Sequence, residues 1–214
     1  MRTYLLLMAL LALIALSTGC ARTYQAPTTA AAVARHDRIA ILPPAVTYHN
    51  RVQLKGGKST AELEREAGRE LQEALFGWIL DRQQKGKLLT VKVQDPRTTN
   101  AKLENLGYFS HGEFGNRRLA EMLGVDAVLI ADFDLDRLLS NHAARAIGLL
   151  TDNVPIPRRQ GRVRLRLYDY AEDATLWNYS RDLSRNYGES PEAIINGVMR
   201  RASKKLPYRI DKNA

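Results

Sequence analysis

Several residue groups in this chain have types and spacings that could do chemistry. Gly56-Gly57-Lys58-Ser59-Thr60 has the closing residues of a phosphate-binding loop, in which backbone amides and a lysine cradle phosphates. That motif needs a further glycine five residues before the Gly-Lys pair, and the position is Val52. A loop followed by a capped helix is the expected reading. Asp132, Asp134 and Asp136 alternate, so on a strand all three carboxylates face one way. No Asx-Gly loop of a calcium site surrounds them. Arg162, Arg164 and Arg166 repeat the same period, and cross-strand ion pairing between the two sets is expected.

His36, His49, His111 and His142 are scattered without zinc-ligand spacing. Ser110-His111 sits in a Gly-rich stretch that lacks the Gly-x-Ser-x-Gly of a nucleophile elbow. No catalytic, metal or cofactor-binding residue is therefore assigned, and no cofactor is expected. Trp177 and Tyr179 share one strand face, with Tyr168 and Tyr170 on the preceding strand, a pattern of cross-strand core pairs or, alternatively, of a sugar-stacking platform. Arg200, Arg201, Lys204 and Lys205 complement the C-terminal dipole of a helix, with a polyanion site as the alternative.

The clearest chemistry belongs to Cys20, the only cysteine among 214 residues. It follows a basic start at Arg2, an apolar run from Leu5 to Leu16, and the small residues Ser17-Thr18-Gly19, the order of a secretory signal. The run is shorter than the roughly 20 residues a permanent span requires. Leu16-Ser17-Thr18-Gly19-Cys20 resembles the lipobox of bacterial lipoproteins, with Ser17 where Leu is more usual. The resemblance implies cleavage after Gly19, palmitate and related acyl chains on Cys20, and, because Ala21 follows, an outer-membrane destination facing the periplasm. A lone cysteine forms no intrachain disulfide and no Cys-based metal site.

The whole chain carries a formal +9, and losing residues 1–19 with Arg2 leaves +8. An exported chain meets no nucleic acid, so this charge points either to an anionic envelope polymer as partner or to a basic surface that serves solubility alone.

The elements that must position these residues follow from pattern. Residues 20–36, small and polar, read as the lipidated cysteine and a flexible tether. A single domain is expected over 37–208, with a tail at 209–214. Arg38-Ile39-Ala40-Ile41-Leu42 reads as a buried strand stopped by Pro43-Pro44. Ser59-Thr60-Ala61-Glu62 has capping-box spacing, and Leu63, Ala67, Leu71, Leu75, Trp78 and Ile79 continue as a helix to about Gly86. Leu88 to Val93 reads as a strand, Asn116 to Leu123 as a helix capped by Gly124, and Val125 to Leu135 as the sheet centre. Arg162 to Tyr168 and Leu176 to Leu183 form a hairpin around Ala171-Glu172-Asp173. Ser190-Pro191 opens a last helix with Ile194, Ile195, Val198, Met199 and Ala202 inward. The sum is an α/β domain, a mixed sheet of about five strands with helices packed on it.

This order, carried by Ile39-Ala40-Ile41-Leu42-Pro43-Pro44, by Leu119 to Ile130 and by Val163 to Asp169 with Leu176-Trp177, resembles a group of envelope domains. It includes the curli-secretion lipoprotein, the amino-terminal domain of the TolB family, penicillin-binding-protein-activator lipoproteins and, most closely, small neisserial-antigen-like lipoproteins. The resemblance implies a non-catalytic envelope module that docks onto a secretion, transport or wall-synthesis complex or onto copies of itself. A small periplasmic hydrolase or carbohydrate-binding lipoprotein is the alternative. Within the insertion 137–160, which holds more apolar residues than a solvent loop requires, Leu149 and Leu150 are the candidate partner surface, with packing on their own domain as the equal alternative.

Overall fold

The computed structural model describes residues 21–48, 59–88, 91–111, 114–135, 161–183 and 190–210. Cys20, Gly56 to Lys58, Asp136, His49, His142 and the whole insertion with Leu149 and Leu150 lie outside them. So does the His111 side chain.

Among the described residues seven strands join in one mixed sheet, more than the five or so expected. They are β1 (Arg22–Gln25), β2 (Arg38–Ile41), β3 (Ala45–Tyr48), β4 (Lys92–Val93), β5 (Ala127–Leu135), β6 (Arg162–Asp169) and β7 (Ala174–Asp182). The order is β1-β7-β6-β5-β2-β4, with β3 also on β5. The helices are α1 (Thr29–Val33), α2 (Thr60–Gln84), α3 (Pro96–Asn105), α4 (Tyr108–His111), α5 (Asn116–Leu123) and α6 (Pro191–Ala202), followed by a 3-10 turn at Ser203–Lys205.

β5 occupies the centre, as its apolar run predicts. It pairs in parallel with β2 through Ile39, Ala40 and Ile41, and antiparallel with β6 along eight residues. The extra strand β3 arises because Pro43-Pro44 interrupts the first strand without ending it. Past the prolines the chain returns to the same partner, Ala45 to Tyr48 lying opposite Asp132 to Leu135. The expected strand from Leu88 to Val93 is reduced to Lys92–Val93, with Leu88 making a separate bridge to Arg209.

The larger correction concerns residues 21–36, which do not form a tether. Arg22 to Gln25 extends the sheet as an antiparallel neighbour of β7, and Ala26 N–H continues the ladder to Leu176 O at 2.8 Å. The fully buried Thr29 hydroxyl donates to Leu176 O at 2.9 Å, and Ala32 and Val33 enter the core. An edge strand exposed at all four residues and a helix of five residues carry no hydrophobic period, so composition alone reads as linker. The domain thus begins at Arg22, two residues after Cys20.

α2 starts as its sequence dictates. Ser59 Oγ accepts from Glu62 N–H at 3.2 Å while the Glu62 carboxylate accepts from Ser59 N–H at 2.6 Å. Its buried stripe of Leu63, Ala67, Leu71, Leu75 and Trp78 packs with α6 residues Ile194, Ile195, Val198 and Met199 over one sheet face. α3, α4 and α5 cover one end of the opposite face through Leu103, Leu119 and Leu123 against Ala40, Leu42, Val128 and Tyr168.

Gly68 lets α2 approach the Pro43-Pro44 interruption, since a Cβ there would stand 2.4 Å from Pro44 O. Alanine would gain about 1 kcal/mol of helix propensity. The overlap forces the helix away from β2 and costs more, about 1–3 kcal/mol. Gly68→Ala is therefore expected to lower the urea midpoint despite alanine's propensity; an increase would show that the helix shifts freely.

Candidate functional site

Two constellations of polar side chains stand out among the described residues, and the first was anticipated. β5 and β6 set Asp132 directly opposite Arg164 and Asp134 opposite Arg162. Asp132 Oδ2 lies 3.0 Å from the Arg166 guanidinium and 3.8 Å from Arg164 Nε, so the expected ion pairing is present but partly diagonal. Arg162 turns to the other neighbouring strand and reaches Asp182 at 2.9 Å. These groups are mostly half-exposed or exposed, so each pair is worth about 0–1 kcal/mol and organises the surface more than it stabilises the fold. β7 and β1 extend the same face: Ser180 lies opposite both Arg164 and Arg22, and Asn178 opposite both Arg166 and Tyr24. Tyr24 is 56% exposed, the most exposed large apolar side chain among the described residues.

The second constellation was missed. His36 Nε2 contacts Asp169 Oδ2 at 2.5 Å, and its Nδ1 contacts the Tyr208 hydroxyl at 2.6 Å. Asp169 Oδ1 in addition accepts from Glu172 N–H. A neutral imidazole fits this geometry, with the Tyr208 O–H donating to Nδ1 and Nε2–H donating to the carboxylate. Burial pushes the Tyr208 hydroxyl well above the usual phenol range, reinforced by Asp169 and Asp126, so it keeps its proton to donate. The arrangement has the composition of an acid-base relay. It faces no substrate, because the His36 and Asp169 side chains are each only 2% exposed and the adjoining cavity is apolar and of about 10 Å³. It works as a fastener that joins the α1–β2 link, the end of β6 and the C-terminal segment. No spacing signal could have found it, since its members lie 133 and 172 residues from His36 in the sequence.

The aromatic residues belong to the core, though not as cross-strand pairs. Trp177 and Tyr179 stack on each other along one strand, ring centroids 6.1 Å apart. Tyr168 points into the opposite core, its hydroxyl donating to Asp173. Asp173 takes φ 51° in the β6–β7 turn, serving where glycine is usual. Ser59 caps a helix and offers no phosphate site of its own. Among the described residues no group of three or more His, Cys, Asp or Glu side chains could hold a metal ion.

The remaining feature is a groove between α2 and α6. Its upper part, about 390 Å³, is lined by Glu73, Asp81 and Glu192 around the small residues Ala74 and Gly77. Its lower part, about 330 Å³, is lined by Arg82, Lys87, Arg200, Lys204 and Arg209. Arg200 and Lys204 come from the cluster marked in the sequence; Arg82, Lys87 and Arg209 join it only through folding.

No protein-family model matches the sequence, and no curated protein matches it either. Comparison with solved structures gives distant similarities. A PelC dodecamer from Paraburkholderia phytofirmans is 16% identical, covering 91% of this chain and 100% of its own, with a TM-score of 0.40. Lipoprotein GNA1162 from Neisseria meningitidis is 13% identical over 79% of this chain and 99% of its own, with a TM-score of 0.38. The LpoB C-terminal domain from Escherichia coli is 11% identical over 74% and 94%, with a TM-score of 0.35. These neighbours match the lipoprotein groups that the sequence resembles. At such identities and TM-scores no activity passes from them to this chain.

Proposed function

We propose that the chain is a non-catalytic envelope lipoprotein, held in the outer membrane by acylated Cys20, whose α/β domain is an assembly module for a secretion, transport or wall-synthesis complex or for copies of itself. The observation that carries this reading is the signal that ends at the lone Cys20, two residues before the first strand. With so short a link the domain stands directly on the membrane surface, and its first sheet edge is held beside the anchor. The acid-base constellation found among the described residues, His36 with Asp169 and Tyr208, is buried, which supports a structural role for it.

The contact surface for the partner is assigned to the insertion 137–160, through Leu149 and Leu150. In-cell crosslinking of wild type and of a Leu149→Asp, Leu150→Asp double variant tests it. The double variant is expected to lose a crosslinked protein while keeping the wild-type circular dichroism and melting temperature. Unfolding would place these leucines in the core, and an unchanged crosslinking pattern would remove the insertion from the interface.

A further inference from the structure

We propose that the lower half of the α2–α6 groove is a binding site for a phosphate-bearing glycan of the envelope, on the side of the domain away from the lipid anchor; this rests on the lipoprotein reading above. Five cations converge on one cleft, Arg82, Lys87, Arg200, Lys204 and Arg209, and no carboxylate among the described residues lines it. Asp81, in the upper half, is shared between Lys85 at 2.6 Å and Arg82 Nε at 3.9 Å, and the hydrogen bond from Lys85 above all holds its carboxyl below the usual range; Arg82 is thus the one cation of the five with an acid close by.

Helix dipoles alone do not account for this charge. The C-termini of α2 and α6 together present roughly one negative elementary charge, against which one or two cations would suffice. Arginine forks match phosphate oxygens in pairs, and the two lysines add mobile point charges. The walls are not uniformly polar. Trp78 forms one side, with the Arg82 guanidinium stacked on its ring at 5.0 Å, and Leu88 and the half-exposed Ile210 form another. A ring with an apolar face and charged substituents fits such a lining better than an inorganic ion does.

Topology fixes where the cleft faces. β1 enters the sheet with Arg22 opposite Ser180, in line with Arg164 and Asp132, near the end where β5 finishes. α2 and α6 both begin at that end, Tyr48 N–H donating to the Glu64 carboxylate, and both finish at the other, where Leu88 bridges Arg209 and Tyr208 meets His36. The acidic half of the groove therefore lies toward the level of Arg22 and the cationic half lies away from it. From the level of Asp132 to beyond Ala127 is on the order of 20 Å at a strand's rise per residue. That exceeds the Debye length of about 8 Å at physiological salt, so the cleft does not sense the headgroups of the anchored leaflet.

The test uses the full mature protein in nonionic detergent, titrated calorimetrically with myo-inositol hexakisphosphate as the probe. Arg200→Gln with Lys204→Gln, both exposed, is expected to weaken binding about tenfold or more without changing the melting temperature. Arg65→Gln with Arg69→Gln, two cations on the first half of α2, is expected to leave the affinity unchanged. Equal losses in both pairs would mean non-specific attraction, and no loss in the first pair would mean that the cleft is not the site; either result overturns the proposal. In a second arm the protein is reconstituted in phosphatidylcholine vesicles with or without phosphatidylglycerol. The probe should bind equally in both. Competition by the anionic vesicles would make the cleft a headgroup site and overturn the proposal. Since the detergent titration does not depend on acylation, a failed anchor and a failed cleft give different results.

Discussion

Replacing Cys20 with serine is expected to abolish fatty-acid labelling of the protein and to move it from the membrane fraction to the soluble or unprocessed pool. The cysteine thiol is the only one in the chain, and serine supplies no sulfur for thioether formation. Among the described residues no helix is long and apolar enough to cross a membrane, so the folded domain offers no spanning helix in its place. The expected magnitude follows from the anchor. Each buried methylene contributes about 0.8 kcal/mol, one chain alone holds a protein marginally, and additional chains make attachment effectively permanent. Losing them all is thus close to an all-or-none change. Metabolic labelling followed by fractionation reads both halves of the expectation. A mutant that labels like wild type would end the lipoprotein reading, and one that stays membrane-bound without label would point to a different attachment.

That a strand begins at Arg22, two residues after Cys20 in the sequence, was not legible beforehand, for a physical reason. Sequence patterns report burial that recurs at a period, and they worked wherever it did. Ala127 to Leu135, buried at every second residue and continuously at its start, was placed at the sheet centre where it lies. The Ser59 capping box and the Gly124 left-handed cap, φ 67°, fixed two helix ends. β1 sits at an edge and is exposed throughout, so its pairing leaves no hydrophobic trace. β3 was hidden because Pro43-Pro44 reads as a stop, whereas here the prolines occupy a gap between two segments on one partner strand. The cationic cleft was half legible. Arg200 and Lys204 stand at i, i+4 in the sequence, but only the tertiary fold brings Arg82 from α2 and Lys87 from the link after it against them. Ion pairing of Asp132 with the arginines of β6 followed from alternation, while its diagonal choice of Arg166 did not, because side-chain reach and twist decide between neighbours on adjacent rungs.

The largest loss of stability is expected at Asp169, the acid of the buried fastener. Asp169→Ala removes the acceptor of His36 Nε2–H and of Glu172 N–H together, and leaves the imidazole, 2% exposed, with Tyr208 as its remaining hydrogen-bond partner. Each donor left without its acceptor away from water costs about 1–3 kcal/mol, and two donors lose theirs here. For a domain of this size that corresponds to roughly 10 °C in melting temperature. Tyr208→Phe should cost less, about 1–2 kcal/mol, because it leaves only the neutral Nδ1 acceptor unpaired. The three groups form one chain, so their losses should not add: once Asp169 is gone, His36→Ala should cost far less than it does in the wild type. Urea unfolding of the single and double variants measures this. Full additivity, or a loss at Asp169 under about 0.5 kcal/mol, would show that the three side chains do not act as a unit. The same experiment separates structure from catalysis. A fastener that ties the α1–β2 link to the C-terminal segment loosens both when it is cut, so amide exchange should accelerate at Ile39 to Ile41 and at Leu206 to Ile210 while the ladder between β5 and β6 keeps its protection.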